Sequence, residues 1–276
     1  RKDEQGILRP TRAAVLLFAE DPSGLMVAKT SVRVFHYKGD QVIHGTTPNL
    51  LKPPKTIGGP LIQQIASTLE YVVNELATGV KLGPYGFEIV QRYPLRVLRE
   101  AITNAVIHRD YHLASDIYIR LFDNRIEVDS PGILPGQITV ATLLTARPNN
   151  RNPLIVNHLR EFPDPPNLDA GEGVRMMFHT MDQAGLYVPI YQTKPQLQRD
   201  AVCVYLFNEA RPSIWDQVSA YVDKRGTITN AELRSILRTD NTLAASKLLR
   251  GWVKRHRKYS KPGAAPDLSL FSLGKR

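Results

Sequence analysis

The chain has 276 residues, of which 42% are hydrophobic and 22% charged, as is ordinary for a globular protein with room for two domains or more. Its single cysteine, Cys203, excludes an internal disulfide framework, argues against a cysteine-built zinc site and, lying in an apolar run, is predicted to be a core residue. The formal charge of +10 predicts an anionic partner, whereas the absence of a long apolar run and of a signal-peptide pattern predicts a cytoplasmic protein without a membrane partner.

The first predicted elements are two strands, over residues 12–19 and 31–37, which are joined by an AEDPSG turn. Residues 40–57 are rich in Thr, Pro, Gly and Lys and predict a loop. Two strands make a poor domain, so we expect residues 1–57 to be the end of a domain whose earlier part is absent. From Pro60 onward, apolar residues recur at helical spacing and predict an amphipathic helix.

The stretch LREAITNAVIHRDYH, residues 98–112, is the centre of the functional prediction. As a helix it carries an apolar stripe on one side. On the other side Glu100, Asn104 and His108 follow one another at intervals of four residues, because each residue turns the helix by ~100°. A carboxylate one turn from an amide oxygen can hold a hydrated Mg²⁺ and orient a water beside a phosphate. From these residues alone, a solvated helix face is an equally good interpretation.

The next segments predict a hairpin, a flap and a second helix. The strands DIYIRLF and RIEVD flank the turn Asp123-Asn124. The sequence ITVATLLTA predicts a short helix, and residues 147–170, full of Pro, Asn, Arg and Asp, predict a long flap of the kind often found over sites. GEGVRMMFHTMDQAG then opens another helix, and LYVPIYQ and AVCVYLF predict the closing strands.

Each of these parts has a physical role if a nucleotide lies across them. Asp129 could accept a hydrogen bond from an adenine amino group, and a glycine after it, Gly132, would let the backbone approach the base. Gly171 and Gly173, at the start of a helix, would present backbone N–H groups and the positive dipole end to phosphates. Arg151 in the flap could reach a phosphate, although a solvated loop arginine is the default interpretation.

These segments together resemble a known family. LREAITNAVIHRDY, IRLFDNRIEVDSPGILP, RNPLI and GEGV are similar to the ATP-binding module of the GHKL superfamily, which includes gyrase, MutL, the heat-shock-ninety chaperones and histidine kinases. The closest resemblance is to the GHKL-like domain of bacterial regulators in which it follows a Schlafen/AlbA-like domain, proteins often labelled RecG-like helicases. The resemblance implies an α/β (α+β) sandwich with a mixed sheet over residues 58–211, preceded by a Schlafen/AlbA-like remnant over 1–57.

The resemblance also implies roles for individual residues, with ATP and Mg²⁺ as cofactors. Glu100 would be the water-activating carboxylate, Asn104 the Mg²⁺ ligand, Asp129 the adenine contact, and Gly171 and Gly173 the phosphate loop. The superfamily's first glycine box is D-x-G-x-G, but here Asp129 is followed by Ser-Pro-Gly-Ile, so both glycine positions are lost in this alignment. A proline and a branched isoleucine would crowd a base that needs close backbone contact.

Three functions therefore stay open from the sequence. The first is a DNA-binding transcriptional regulator with a GHKL-like, ATP-binding domain. The second is a DNA-stimulated ATPase that uses Glu100 and Mg²⁺. The third is a catalytically dead scaffold used for homo-oligomerisation. No G-x-x-x-x-G-K-[ST] motif occurs, so the usual phosphate cradle of motor helicases is absent from this sequence.

The last quarter of the chain is strongly basic. Residues 212–276 hold 13 lysines and arginines against 5 aspartates and glutamates, a formal charge of +8. Three helices are predicted, over 213–224, 229–238 and 242–256, with a Thr229–Glu232 capping box starting the second. A predicted strand, Pro/Gly turn and strand follow. This order resembles a winged helix-turn-helix that binds double-stranded DNA, mainly through phosphates. The predicted DNA contacts are Thr242, Ser246, Lys247, Arg250, Lys254, Lys258 and Lys261.

Overall fold

The computed structural model describes residue 2 and residues 4–83, 86–90, 92–166, 171–212, 214–225, 228–237 and 240–259. The chain divides into two compact units, Arg1–Ala210 and Arg211–Arg276. The division lies one residue from the predicted boundary at 211/212. The predicted boundary at 57/58 falls inside the first unit, between a strand and a helix of the same core.

The first unit is a mixed α+β fold built on a six-stranded sheet with the strand order β2-β1-β5-β6-β8-β7. The pair β1–β5 is parallel, and the other neighbouring strands are antiparallel. A separate antiparallel hairpin is formed by β3 and β4. In chain order the elements are α1 (Arg12–Phe18), α2 (Pro22–Met26), β1 (Val32–His36), β2 (Lys55–Ile57), α3 (Leu61–Glu75), β3 (Gly79–Gly83), β4 (Gly86–Val90), α4 (Leu95–Ile107), β5 (Ile117–Leu121), β6 (Arg125–Pro131), α5 (Pro153–Leu159), α6 (Gly173–Gln183), β7 (Ile190–Gln192) and β8 (Ala201–Phe207).

The two faces of the six-stranded sheet differ in chemistry because successive side chains of a strand point to opposite faces. On one face, apolar side chains from β1, β5, β6 and β8 are buried in a single core with α1, α3 and α4. Ile119 of β5 lies opposite Val128 of β6, and both belong to this core. On the other face the same strands carry arginines, aromatic rings and the carboxylates of Glu127 and Asp129.

Helix α4 ends earlier than the sequence predicts. It stops at Ile107 with His108 as its C-cap, so the predicted continuation to His112 is wrong. The cause is Arg109, which is fully buried and donates hydrogen bonds to the backbone carbonyls of Lys29 and Ser115. A guanidinium in the core needs acceptors there, and these two carbonyls, which both accept from Nη2, hold the chain in a turn.

The first predicted strand is instead a helix. Residues 12–18 form α1, whose N-cap Thr11 accepts a hydrogen bond from the backbone N–H of Ala14 at 3.1 Å. A short, continuous apolar run occurs both in buried strands and in buried helices, so its periodicity alone cannot separate the two. The threonine cap and the alanines and leucines of RAAVLLF favour the helix. Leu16 and Leu17 are buried in the core.

Three other predicted elements are shorter or different. The segment ITVATLLTA forms turns, in which Thr139 and Thr142 hydrogen-bond each other through side chains and backbone. Threonine hydroxyls compete in this way with helical backbone bonds. The predicted loop over 40–57 ends in β2, and only Ile190–Gln192 of LYVPIYQ form a strand.

The second unit contains three helices, α7 (Ile214–Arg225), α8 (Asn230–Leu237) and α9 (Thr242–Tyr259). The predicted capping box is present. The N–H of Thr229 donates to Glu232 Oε2 at 2.7 Å, and the N–H of Glu232 donates to Thr229 Oγ1 at 3.2 Å. The first three residues of the predicted wing, 257–259, belong to α9 instead. The remainder, 260–276, lies outside the described residues. In the described part of the chain no helix, α9 included, combines the length and the apolar character needed to cross a membrane.

Candidate functional site

A cavity of about 410 Å³ lies between α4, α6, the sheet and the segment that follows Gly132. Val128, Val202 and Val204 form its sheet wall. Prolines of the flap and aliphatic residues from the preceding segment, among them Ile133 and Leu143, complete its apolar part. The polar stripe of α4 lines the opposite end, where Glu100, Asn104 and His108 all face the cavity. The structure therefore brings together the three side chains that the helical spacing placed on one stripe.

Glu100 and Asn104 are directly joined. The Asn104 Nδ2 donates a hydrogen bond to Glu100 Oε1 at 2.8 Å. Burial raises the pKa of Glu100, and the hydrogen bond from Asn104 and the charge of Arg96 partly oppose that rise. A carboxylate with a raised pKa is a better proton acceptor, as a general base requires. With the amide nitrogen turned to Glu100, the amide oxygen of Asn104 is the atom suited to a cation.

The start of α6 packs against this pair and requires glycine. A Cβ atom on Gly173 would lie 1.6 Å from Glu100 Oε1. Gly171 has φ +69°, and a Cβ there would lie 2.3 Å from Pro148 Cγ. Both residues line the cavity, and the backbone at the start of the 11-residue helix α6 lies directly against the Glu100 carboxylate. This is a cradle that a side chain would fill, in the place where the GEGV motif predicts a phosphate loop.

Four arginines at the cavity were not predicted to be site residues. Arg96 and Arg99 come from α4, Arg147 from the flap and Arg175 from the first turn of α6. Arg175 donates to the carbonyl of Leu144 at 2.7 Å, which ties the segment before the flap to α6. Arg96 was recognisable in the sequence, since it extends the stripe of Glu100, Asn104 and His108 by one turn. Four cations around two lining carboxylates, Glu100 and Glu172, favour an anionic ligand.

Asp129 does not face this cavity. Its side chain is 1% exposed on the opposite face of the sheet, where Oδ2 lies 3.3 Å from Arg120 Nη1 and Oδ1 accepts from Arg199 Nη1 at 3.0 Å. Strand alternation explains the placement, because Ile126 and Val128 point into the core and the residues between them point away. The structure corrects the sequence-based assignment of Asp129 as the base contact, since its carboxylate is held by two arginines on the wrong face.

Ser130 occupies the position that Asp129 was expected to fill. It lines the cavity, and its hydroxyl donates to the backbone carbonyl of Ala105 at 2.7 Å. With Ser130 in the place of the aspartate, Gly132 falls on the first glycine position of the D-x-G pattern. Gly132 has φ +111°, and a Cβ there would lie 2.8 Å from Asp110 Cβ. One glycine position of the box is thus retained, which the alignment on Asp129 had concealed.

Arg151 binds protein groups rather than lining the cavity. Its guanidinium donates to the carbonyl of His108 at 3.1 Å and to the carbonyl of Ile133, and it lies 3.4 Å from the Asp110 carboxylate. These contacts fasten the beginning of α5 to the end of α4. The placement corrects the prediction that Arg151 reaches a phosphate.

In the second unit, the predicted DNA contacts are divided between two sides of α9. Thr242, Lys247 and Arg250 are exposed. Ser246 instead faces α8, where its Oγ accepts a hydrogen bond from Asn230 Nδ2 at 2.8 Å, so its placement does not support a DNA contact. Lys254 and Lys258 also belong to α9, and Lys261 lies outside the described residues.

The donor set of the cavity fits a nucleotide better at the phosphate end than at the base end. Glu100, Asn104, the glycine cradle and the arginines suit phosphates with a cation. Within the described ranges, no group of three or more His, Cys, Asp or Glu side chains could hold a metal ion by itself. Asn104 would offer Mg²⁺ one amide oxygen, and proteins usually hold Mg²⁺ through one or two ligands together with substrate phosphates. At the base end, Ser130 is the hydrogen-bonding side chain of the sheet wall.

Comparison with known proteins supports an ATPase-like domain. Residues 114–203 match the family model described as "Putative ATP-dependent DNA helicase recG C-terminal". The matched segment begins after α4, so Glu100 and Asn104 lie outside it. No curated protein matches the chain.

A solved structure shares the fold. The crystal structure of the DIP2311 protein from Corynebacterium diphtheriae superposes with a TM-score of 0.56 and 22% sequence identity, over 90% of this chain and 51% of that one. This chain therefore spans about half the length of that relative.

Proposed function

We propose that the first unit binds ATP with Mg²⁺ in the cavity between α4 and α6, and that the chain is a DNA-binding transcriptional regulator. One observation carries the nucleotide proposal: the Glu100–Asn104 pair packs directly against the glycine at the start of α6. This contact joins a carboxylate, an amide oxygen and a helix N-terminus at the polar end of an otherwise apolar cavity. The base would lie along the valine wall and the phosphates would lie at Gly171 and Gly173.

The charges at the cavity support the same orientation. Arg96, Arg99 and Arg175 come from the helix ends that flank the glycine cradle. A guanidinium group can donate two parallel hydrogen bonds to the oxygens of one phosphate, and it is charged at any physiological pH. The apolar wall lies on the sheet side, away from these cations. A ligand with one planar ring system and one polyanionic end matches this separation.

An ATPase is the second candidate function, and Glu100 would be its catalytic residue. The buried carboxylate can accept a proton from a water held beside it, since burial raises its pKa. Asn104 orients that carboxylate through its amide hydrogen bond. Bound Mg²⁺ would supply charge neutralisation at the phosphates. The position of the Glu100 carboxylate, which lies against Gly173 and is hydrogen-bonded to Asn104, is the observation that favours turnover over simple binding.

Calorimetric titration with a non-hydrolysable ATP analogue tests the nucleotide proposal. We expect saturable binding to the full chain that weakens when Mg²⁺ is left out. An absence of binding with and without Mg²⁺ would leave the scaffold as the better function. Phosphate release by wild type and Glu100→Ala then separates the remaining two. An ATPase should lose turnover in the variant and keep binding, whereas a sensor has no turnover to lose.

We infer that the second unit binds duplex DNA. Its support is the concentration of +8 of the formal charge in residues 212–276, together with the exposed Lys247 and Arg250 on α9. Binding that depends on phosphates should weaken steeply with salt, because neutralised phosphates release counterions. Gel shifts of the full chain at increasing salt measure this. A flat salt response would contradict the proposal. We further expect a cytoplasmic protein that forms homo-oligomers, which size-exclusion chromatography with light scattering would test.

A further inference from the structure

The sheet face opposite the cavity carries a group of aromatic rings and arginines that the nucleotide site does not use. We call it the aromatic–arginine face, and it consists of Phe35, Tyr37, Tyr118, Arg120, Phe122 and Arg125. The ring centroids of Phe35 and Tyr118 are 6.0 Å apart, and those of Tyr37 and Phe122 are 5.2 Å apart. These six residues line a second cavity, of about 570 Å³, whose rim is formed by residues 41–44.

Each arginine of this face lies beside an aromatic ring. The Arg125 Cζ is 4.3 Å from the Phe122 ring centroid, and the Arg120 Cζ is 5.7 Å from that of Tyr118. Arg33, on the same face of β1, has its Cζ 5.2 Å from the Phe35 ring centroid. Rings and guanidinium planes thus alternate across β1, β5 and β6. Both groups are flat and stack on other flat π systems.

The arginine side chains on this side of the sheet are more exposed than the carboxylates with which they pair. Two carboxylates, Glu127 and Asp129, lie on this face, and their side chains are 11% and 1% exposed. The arginines that pair with them are more accessible, at 25% for Arg120 and 48% for Arg199. With Arg33 and Arg125 included, four guanidiniums face two carboxylates, so the surface has an excess of two positive charges. Phe35 and Tyr118 are partly exposed, whereas Tyr37 and Phe122 are buried beneath the surface, and Glu127 lines the cavity beside the arginines. The rings that a ligand can reach are therefore those of Phe35 and Tyr118.

We propose that the aromatic–arginine face binds single-stranded nucleic acid. Stacking needs exposed base faces, which a single strand offers and a duplex does not, and the guanidiniums match its phosphates. The face spans the three strands β1-β5-β6, whose two spacings of ~4.8 Å give a width of about 10 Å. This width takes two or three stacked bases, as on other sheet platforms. The site is distinct from the nucleotide cavity and from the duplex-binding α9.

A protein partner is the competing occupant, and the charge content argues against it. Tyrosine, phenylalanine and arginine are enriched at protein interfaces, but the centres of such interfaces are depleted in charge. Here Glu127 and Asp129 and their arginines lie within the face itself, between the aromatic cluster and Tyr205. A surface with excess cations at its centre suits a polyanion better.

Fluorescence anisotropy with the full chain tests the proposal. The probes are labelled thymidine and uridine single strands of about 12 nucleotides and a DNA duplex of the same length. The variant Phe35→Leu/Tyr118→Leu keeps apolar side chains but removes two stacking surfaces. We expect its affinity for both single strands to fall tenfold or more, with duplex affinity unchanged. Phe18→Leu, the same change at an exposed ring on α1, is the matched control and should bind as wild type does.

Photo-crosslinking of the wild-type chain to a 4-thiothymidine strand gives a second measurement that does not depend on the variant folding. We expect the crosslinked peptides to include residues 32–37 or 117–122. Crosslinks confined to residues 211–276, single-strand binding that the double variant retains, or equal loss of duplex and single-strand binding would each overturn the proposal. So would a wild-type dimer that the double variant dissociates while single-strand affinity is unchanged, because the face would then be a protein interface.

Discussion

Gly173→Ala gives the sharpest test of the nucleotide site, because the added carbon would occupy the space of the Glu100 carboxylate. Its Cβ would lie 1.6 Å from Glu100 Oε1 and 2.4 Å from Cδ. Ordinary contacts of heavy atoms are about 3.5–4.0 Å, so the carboxylate must retreat by roughly 2 Å. That retreat breaks the hydrogen bond that Asn104 donates at 2.8 Å.

The expected cost to the fold is small and the expected cost to the site is large. Losing the hydrogen bond from Asn104 removes about 0.5–1.5 kcal/mol of stability. Alanine in a helical position contributes roughly 0.5–1 kcal/mol relative to glycine, which offsets most of that loss. The Tm should therefore stay within about 2–4 °C of wild type. A phosphate that can no longer approach the backbone loses charged hydrogen bonds of ~1.5–3 kcal/mol, equivalent to about ten- to a hundredfold in affinity.

Calorimetric titration with the ATP analogue and Mg²⁺, together with a thermal melt, measures both quantities. Gly58→Ala is the matched control, since a Cβ on Gly58 would meet its nearest neighbour, Ser31 Oγ, at an ordinary 3.6 Å. Its affinity should equal that of wild type. Wild-type affinity in Gly173→Ala would refute the assignment of the phosphates to the start of α6. A Tm loss much larger than expected would instead show that the Glu100 contact stabilises the fold.

Four further predictions concern the sheet, the titration of the site and the second unit. Asp129→Ala removes the buried carboxylate of two partly exposed arginines and should lower the free energy of unfolding by about 1.5–3 kcal/mol, measured by chemical denaturation. Nucleotide affinity should be unchanged, and its selective loss would show that Asp129 contacts the ligand. Ser130→Ala leaves the carbonyl of Ala105 without its donor. It should weaken binding of the ATP analogue about fivefold, a loss of ~1 kcal/mol, as measured by calorimetry. An unchanged affinity would exclude a contact between Ser130 and the base. Because burial raises the pKa of Glu100, the folded state favours the protonated carboxyl, and the stability it contributes is present at low pH and lost as the pH rises through the raised pKa. Glu100→Gln should accordingly raise the Tm at pH 7, by a margin that shrinks as the pH falls through the raised pKa and vanishes below the ordinary value of 4.5, and a margin independent of pH would contradict the burial argument. The double variant Lys247→Ala/Arg250→Ala should weaken duplex binding and reduce its logarithmic salt slope by about 2 in anisotropy titrations, whereas an unchanged slope would place the DNA elsewhere.

Local signals in the sequence predicted the elements that depend on neighbouring residues. The Thr229–Glu232 box begins α8, and Asp123-Asn124 joins β5 to β6, because both motifs are satisfied within a few residues. The polar stripe of α4 likewise follows from helical geometry. Residues 12–18 were assigned to the wrong element, since an isolated apolar run does not distinguish a helix from a strand without its packing partners.

The base end of the site shows a different kind of error. In R-I-E-V-D-S the alternation of Ile126 and Val128 with Glu127 and Asp129 already placed Asp129 away from the core. The D-x-G-x-G motif and the strand alternation point to different residues, and the structure follows the alternation, with Ser130 at the cavity. The end of α4 could not be predicted in the same way. It depends on Arg109 reaching the carbonyl of Lys29, 80 residues away in sequence.

Strand β6 belongs to both of the proposed binding surfaces. Its residue Ser130 lines the nucleotide cavity, and the preceding Asp129 anchors arginines on the opposite face, with no intervening layer of structure. A ligand that shifts this strand on one side changes the geometry that a ligand on the other side meets. If occupancy of the cavity alters the affinity for a single strand by some factor, thermodynamic linkage requires the strand to alter nucleotide affinity by the same factor. Any coupling between the two affinities would then pass through a single β-strand.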